Sequence, residues 1–189
     1  MFTHKIDDNT ELRLLEEEHA QELFELTDCS RDYLRKWLPW VDATKEVEDS
    51  RQFILKALEQ YETTGAVNAG IWHQGRLAGV ISFVMTDLYN RNTWIGYWLG
   101  EHYQGKGLMT AACRVMLATA FEEMGLNRVE IRAATDNDRS RAIPEGLGFR
   151  LDGILRQSTW LNDHFQDMAV YSLLRSEWLN TEQAGLPKK

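Results

Sequence analysis

Seven consecutive residues, Gln104, Gly105, Lys106, Gly107, Leu108, Met109 and Thr110, have the composition of an anion-binding turn. They follow an apolar, strand-like run ending at Leu99 and open a helix-like run that continues to about Phe121. A glycine-rich turn at a helix N-terminus aims several unpaired backbone N–H groups at one point, where the helix dipole adds partial positive charge. Phosphate is the usual guest of such a turn. Glycine also serves strand-to-helix turns for its backbone freedom alone, so the remainder of the chain must decide between the two. A nucleotide-hydrolase loop is excluded: it needs GxxxxGK[ST], whereas Lys106 lies between two glycines and is followed by Leu108.

The other chemistry-bearing residues narrow the classes. Cys29 and Cys113 lie far apart on helix-like segments and read as reduced, partly buried thiols, not as a disulfide framework. Neither Cys–His spacing nor an HExxH pattern suggests a metal site, so no metal is expected. The net charge of −8 argues against direct nucleic-acid binding, which needs a basic face, yet leaves room for a local basic pocket around a phosphorylated ligand. The N-terminal MFTHKIDDNT has no apolar signal core, and the longest apolar stretch, 78–85, is too short to span a bilayer. The expected setting is cytoplasmic, with no membrane partner.

Periodicity then supplies the elements that must position the turn. Residues 11–15 alternate as a short strand, and 16–29 turn helical with Ala20, Leu23, Phe24 and Thr27 on one face. A short helix over 30–38 stops before Pro39. Trp37 and Trp40 flank that proline in a rigid aromatic corner, which either packs against the core or forms a wall of an acceptor pocket. Residues 46–61 form a second helix, ended by Thr63–Thr64–Gly65; 66–72 and 77–85 read as a hairpin around Gln74–Gly75. The strand 94–99 contains Gly96, which signals a bulge or a close approach by another chain or ligand. A strand at 128–134, a short helix at 142–147 and a final hairpin, 149–160 with 165–174, complete the chain. This order predicts one mixed α/β layer structure over 1–180, with a polar, flexible tail at 181–189.

Three local patterns coincide, and together they resemble the GNAT family of acetyl-CoA-dependent N-acetyltransferases. Gln104–Gly105–Lys106–Gly107 is similar to the first four positions of that family's Q/R-x-x-G-x-G/A pyrophosphate loop. Asn137–Asp138–Arg139–Ser140 follows the next strand, and Glu145–Gly146–Leu147–Gly148–Phe149 resembles the family's E-x-x-G-F helix end. Ile95–Gly96–Tyr97–Trp98–Leu99 and the aromatic corner at 34–40 look most like the RimJ/RimL group, which acetylates N-terminal α-amino groups of ribosomal proteins. The resemblance implies a single-domain GNAT fold: a mixed, mostly antiparallel sheet of about seven strands, splayed near 94–99 and 128–134, with helices on both faces. It implies acetyl-CoA as cosubstrate, its pantetheine paired with backbone in the splay and its pyrophosphate on N–H groups from about Gly105 to Thr110, with Lys106 lending charge. Gln104, Leu108, Met109, Asn137 and Ser140 belong to the same set, as do Trp98 and Leu99, and a backbone N–H near Trp98 or Leu99 is the implied oxyanion donor.

Direct transfer to an amine is the implied chemistry. An α-amino group, with a pKa of about 8, is partly neutral near pH 7 and needs only a weak or water-mediated base. Where many members of the family carry an acidic tyrosine, this chain has Pro144, which cannot donate a proton; Ser140 is the nearest substitute, and Ser140 or Asn137 is equally readable as a helix N-cap. Pro144 suits a helix's first turn, which puts the helix start at Ser140 to Ile143. Met109 stands where the family often has glycine or alanine, leaving Gly107 alone for the closest approach of phosphate. Glu130 is the carboxylate placed to face the splay as base, or else it pairs with Arg128 or Arg132; Glu101, His102, Asp163 and His164 are the other candidates. Trp37, Trp40, Trp160, Asp163 and His164 are the expected acceptor contacts. The acceptor is a protein N-terminus, ribosomal proteins included, or a small amine such as a polyamine, aminoglycoside or amino acid. A non-catalytic acetyl-CoA-binding module is the reading of another class, and a homo-oligomer is compatible with all of them.

Overall fold

Alternating and doubly apolar runs build the sheet first. The computed structural model describes residues 2–183. Its strands are β1 (Thr3–Lys5), β2 (Thr10–Leu14), β3 (Asn68–His73), β4 (Arg76–Asp87), β5 (Asn92–Leu99), β6 (Arg128–Ala134), β7 (Arg150–Leu161) and β8 (His164–Leu174). They form one sheet in the order β1-β2-β3-β4-β5-β6-β8-β7. Neighbours are antiparallel except β5 and β6, which are parallel. The expected count of about seven becomes eight because residues 3–5 pair with β2, and a three-residue strand is too short to show a period.

Helices cover both faces. α1 (Ala20–Cys29), α2 (Arg31–Leu34) and α3 (Val47–Thr64) precede β3; α4 (Leu108–Ala118) joins β5 to β6; α5 (Asp138–Gly146) follows β6; and α6 (Arg175–Gln183) follows β8. Glu46 and Asp49 close a capping box at the start of α3, and Gly65, at φ 72°, ends it. On one sheet face Met109, Ala112, Cys113, Met116 and Leu117 of α4 pack against Ile81, Ile95, Val129, Ile131 and Tyr171. On the other, Ala20, Leu23 and Ile54 cover Trp72, Leu77 and Val80. The expected tail is helical as far as Gln183, and 184–189 lie outside the described residues. Among the described residues no helix is long and apolar enough to cross a membrane.

The feature that positions the site is a break in pairing. β5 and β6 pair from Asn92↔Arg128 to Ile95↔Ile131 and no further. Beyond Ile95, β5 still follows β4 as far as Leu99, and β6 still follows β8 to Ala134. The two inner strands therefore diverge while each stays fixed to its outer neighbour. Alternation decides which backbone groups face the gap. Gly100 N–H donates to Ala78 O (2.9 Å), so Trp98 also faces β4, and Tyr97 and Leu99 face the gap. Likewise Thr135 N–H donates to Asp167 O (3.0 Å), which turns Ala133 toward β8 and leaves Arg132 and Ala134 facing inward. The bulge expected near Gly96 lies instead in β4, between Phe83 and Met85. A Cβ on Gly96 would meet Val84 Cγ2 at 2.6 Å, so the close approach there is from a neighbouring strand.

Candidate active site

A cleft of about 710 Å³ follows the divergence of β5 and β6, within the size range of small-molecule sites. At one end lies the glycine turn. Gly105 and Gly107 have φ of 72° and 75°, a left-handed conformation that side chains with a Cβ adopt only at a cost of about 1–2 kcal/mol. Gly107 is the N-cap of α4, so the N–H groups of Leu108, Met109 and Thr110 open the helix unpaired and face the cleft. An added Cβ at either glycine would meet nothing within 4 Å. The positions are thus demanded by backbone conformation, and the space above them stays open for a ligand. Met109 packs into the core with 5% exposure, so its bulk does not obstruct the cradle, and Gly105 shares the task expected of Gly107 alone.

Cations gather at this end. Lys106 Nζ lies 5.4 Å from the ring centroid of Tyr103. Arg139 Nη1 donates to Gln104 Oε1 (2.8 Å), tying the turn to α5 and adding a second positive charge beside it. Arg139 was not among the expected site residues; its place one residue before Ser140 in the Asn137–Ser140 pattern was the available signal.

The helix α5 begins at Asp138, earlier than Pro144 suggested. Asn137 is its N-cap: Ser140 N–H donates to Asn137 Oδ1 (3.1 Å). Pro144 is accommodated in the helix interior because the carbonyl it orphans finds another donor. Tyr97 Oη donates to Ser140 O at 3.0 Å. Burial, first, and the neighbouring Cys113 thiol push the Tyr97 phenol well above its ordinary pKa, so it remains a donor. Further along, Tyr171 Oη donates to Glu145 Oε1 (2.5 Å) and accepts from Arg141 Nε (2.9 Å), and Arg141 Nη1 donates to Thr135 O (2.9 Å). The E-x-x-G-F element is therefore a tether: Glu145 fixes α5 to β8, Gly148 turns at φ 82°, and Phe149 is buried.

The opposite end is lined by side chains from separate elements: Tyr33, Trp37 and Leu38 after α1, Trp98 of β5, and Thr159, Gln166 and Met168 of the last hairpin. Trp37 reaches the cleft as expected. Trp40 does not; it packs behind Trp98, with ring centroids 5.6 Å apart. Trp160 lies against Phe165 on the exposed hairpin surface, and Asp163 and His164 sit at its tip, so none of these three lines the cleft. The tip nevertheless bears on the site, since Asn162 Nδ2 donates to Arg35 O (3.2 Å) and holds the hairpin against the aromatic corner.

Glu130 is not brought into the cleft. It sits opposite Trp94 in the paired part of the sheet, where Arg128 and Arg132 both bind its carboxylate (2.8 and 2.9 Å). Burial alone would raise its pKa, but the two guanidinium groups outweigh it and hold the carboxyl below its ordinary value. A carboxylate so committed is a poor proton acceptor, which removes the expected base. The charged residues that do line the cleft are Lys106, Arg132, Arg139 and a single carboxylate, Glu101. Cys113 is buried as expected, whereas Cys29 is exposed at the end of α1; both are free thiols. No metal-binding cluster occurs among the described residues.

A backbone-lined gap leading from an anion cradle to an aromatic mouth suits a long ligand with a phosphorylated end and an amide-bearing arm. That combination on a mixed sheet splayed between parallel strands fits the acyl-CoA-dependent transferases. Residues 9–150 match the family described as Acetyltransferase (GNAT) domain, and the chain belongs to that family. It is 40% identical over 179 residues to the "Putative ribosomal N-acetyltransferase YdaF" of Bacillus subtilis (strain 168), covering 94% of this chain and 98% of that protein. It is 29% identical to the ribosomal-protein-serine acetyltransferase of Escherichia coli (strain K12), over 90% of this chain and 95% of the other. The solved structure of RimL, a ribosomal L7/L12 α-N-protein acetyltransferase in complex with coenzyme A, superposes with a TM-score of 0.89 at 26% identity, covering 93% and 99% of the two chains. The chain is an N-acetyltransferase of this family.

Proposed function

We propose that the protein transfers the acetyl group of acetyl-CoA to the N-terminal α-amine of a protein, with ribosomal proteins as the acceptor class. The observation that carries this is the uneven chemistry of the cleft. Its phosphate end is made of backbone N–H groups with Lys106 and Arg139 beside them, its opposite end is aromatic, and the one carboxylate lining the cleft is Glu101. A polyamine needs several carboxylates to replace its water, and the lining of the cleft offers one. An α-amine is already partly neutral near pH 7 and asks only for weak assistance, which Glu101 through water can give. The two curated relatives described above, both carrying ribosomal acetyltransferase names, point the same way.

When bound, acetyl-CoA supplies a thioester carbonyl open to attack by the amine. The inward-facing Leu99 N–H stands ready for the negative charge that develops on the carbonyl oxygen. Ser140 gives its hydroxyl proton to the departing sulfur and is reprotonated through water from the amine, whose lost proton thus ends on the thiol. Gly105 and Gly107 hold the turn in the left-handed shape that presents the first N–H groups of α4. The reading sets the reaction in the cytoplasm. Acetyl-CoA is expected to raise the melting temperature, and a peptide with a free α-amine to release CoA thiol faster than spermidine does. Stabilisation without thiol release from either would support a non-catalytic binding module instead; no stabilisation would remove the cosubstrate.

A further inference from the structure

An α-helix carrying proline in its interior leaves one carbonyl without a partner, four residues earlier. In α5 that carbonyl belongs to Ser140, and the proline ring at position 144 presses it away from the helix axis. A half-buried carbonyl in this state requires a donor from elsewhere. Tyr97 provides it, reaching from β5 across 43 positions of sequence to donate at 3.0 Å. The same phenol oxygen lies 3.4 Å from Ser140 Oγ. There Ser140 Oγ donates to the phenol oxygen in a hydrogen bond long enough to be weak. The backbone of Ser140 is therefore held firmly, while its hydroxyl is held only loosely and can turn toward the cleft.

We propose that Tyr97 is a positioning residue for acetyl transfer: its hydroxyl replaces the helix N–H that Pro144 lacks, and by holding the Ser140 carbonyl it sets where Ser140 Oγ stands relative to the sulfur. The proposal rests on the role given above to Ser140 and adds a second, independent element to it. Three observations converge on it. Ser140 N–H is tied to Asn137 Oδ1 and its carbonyl to Tyr97, so both backbone groups of this one residue are pinned from outside the regular helix ladder. Tyr97 occupies the divergent part of β5 with its own backbone facing the gap, so the residue that borders the pantetheine path also fixes the proton donor. Arg141 and Glu145 anchor the rest of α5 to β8 through Tyr171, while the start of the helix is held by Asn137, by Tyr97 and by Arg139 on Gln104; of these only Asn137 and Tyr97 grip the backbone of Ser140.

The arrangement predicts a rescue that a merely structural tyrosine would not show. Tyr97→Phe keeps the ring and removes the donor; kcat for a free-α-amine peptide should fall about five- to tenfold, with KM for acetyl-CoA unchanged. Pro144→Ala restores a helix N–H opposite Ser140 O, so Tyr97→Phe made in that background should lose less than about twofold. In a Ser140→Ala background Tyr97→Phe should have no further effect on kcat. The melting temperatures of wild type, both single variants and the double variant form a parallel cycle, in which the loss on Tyr97→Phe shrinks when residue 144 is alanine. Unchanged kcat in Tyr97→Phe, or an equal loss with proline and with alanine at 144, would overturn the proposal. Thiol release by the wild type is measured first: its absence would refute the acetyltransferase reading and with it the positioning role. The melting cycle would still decide, separately, whether Tyr97 caps the Ser140 carbonyl.

Discussion

The two ends of the cleft are built from different materials. The phosphate end is backbone: two glycines at positive φ and the first turn of α4, all within seven consecutive residues. The acceptor end is side chains: Trp37, Trp98, Gln166 and Met168 arrive from segments far apart in the chain and meet only because the sheet order brings them together. A backbone site tolerates almost any side chain that leaves its dihedrals alone, as Met109 shows by pointing into the core while its N–H faces the cleft. A side-chain site carries specificity and changes with single residues. On the proposed reading, the cosubstrate is thus fixed by conformation and the acceptor by composition.

That contrast can be broken or sharpened at graded cost. The largest effect is expected from Gly107→Val. A β-branched residue cannot hold φ 75° without strain of at least about 1–2 kcal/mol, and moving the turn misdirects every N–H in it. Acetyl-CoA binding measured by calorimetry should become undetectable, while the melting temperature of the free protein falls only slightly. Ser140→Ala comes next: kcat should drop about 100-fold, the scale of general acid–base assistance, with acetyl-CoA affinity nearly unchanged. Intact turnover in this variant would show that the proton reaches sulfur by another route. Trp37→Ala should raise KM for the peptide about tenfold and leave acetyl-CoA binding alone, since it removes an aromatic wall at the acceptor end only.

The smallest effect concerns Glu130, which lies beside the site without belonging to it. Glu130→Gln should leave kcat within about twofold of wild type and cost roughly 1 kcal/mol or less of stability at neutral pH, the ion pairs being partly solvated. Its folded pKa is lowered, so the contribution is complete above the unfolded value of about 4.3 and disappears as pH falls through the lower folded value. The gap in melting temperature between wild type and Glu130→Gln should therefore close below about pH 4.

The same contrast explains what the residues disclosed. The glycine turn, β6 at 128–134 and the helix end at Glu145–Phe149 were legible because each is decided by neighbours in sequence. Trp40, Trp160, Asp163 and His164 are acceptor contacts only if the Pro39 corner and the hairpin tip turn inward, and packing against Trp98 and Phe165 or the position of the tip keeps them out of the cleft. Of the two alternatives for Glu130 the structure shows the ion pair: the register sets it beside Arg128 and Arg132 in the paired part of the sheet, before the strands part. The start of α5 was misread because Pro144 was expected in a first turn; the structure keeps it inside by supplying Tyr97 to the orphaned carbonyl. An interior proline four residues after a candidate proton donor was a usable signal that some distant hydroxyl or amide would be needed there.

The account's central claim is that the acetyl group goes from acetyl-CoA to an α-amine. The most direct test incubates the protein with acetyl-CoA and one peptide that carries both a free N-terminus and an internal lysine, then locates the added acetyl group by fragment mass spectrometry. The account predicts acetyl on the N-terminal nitrogen and none on the lysine. Acetyl on the lysine alone, or on neither amine while spermidine is acetylated, would contradict it.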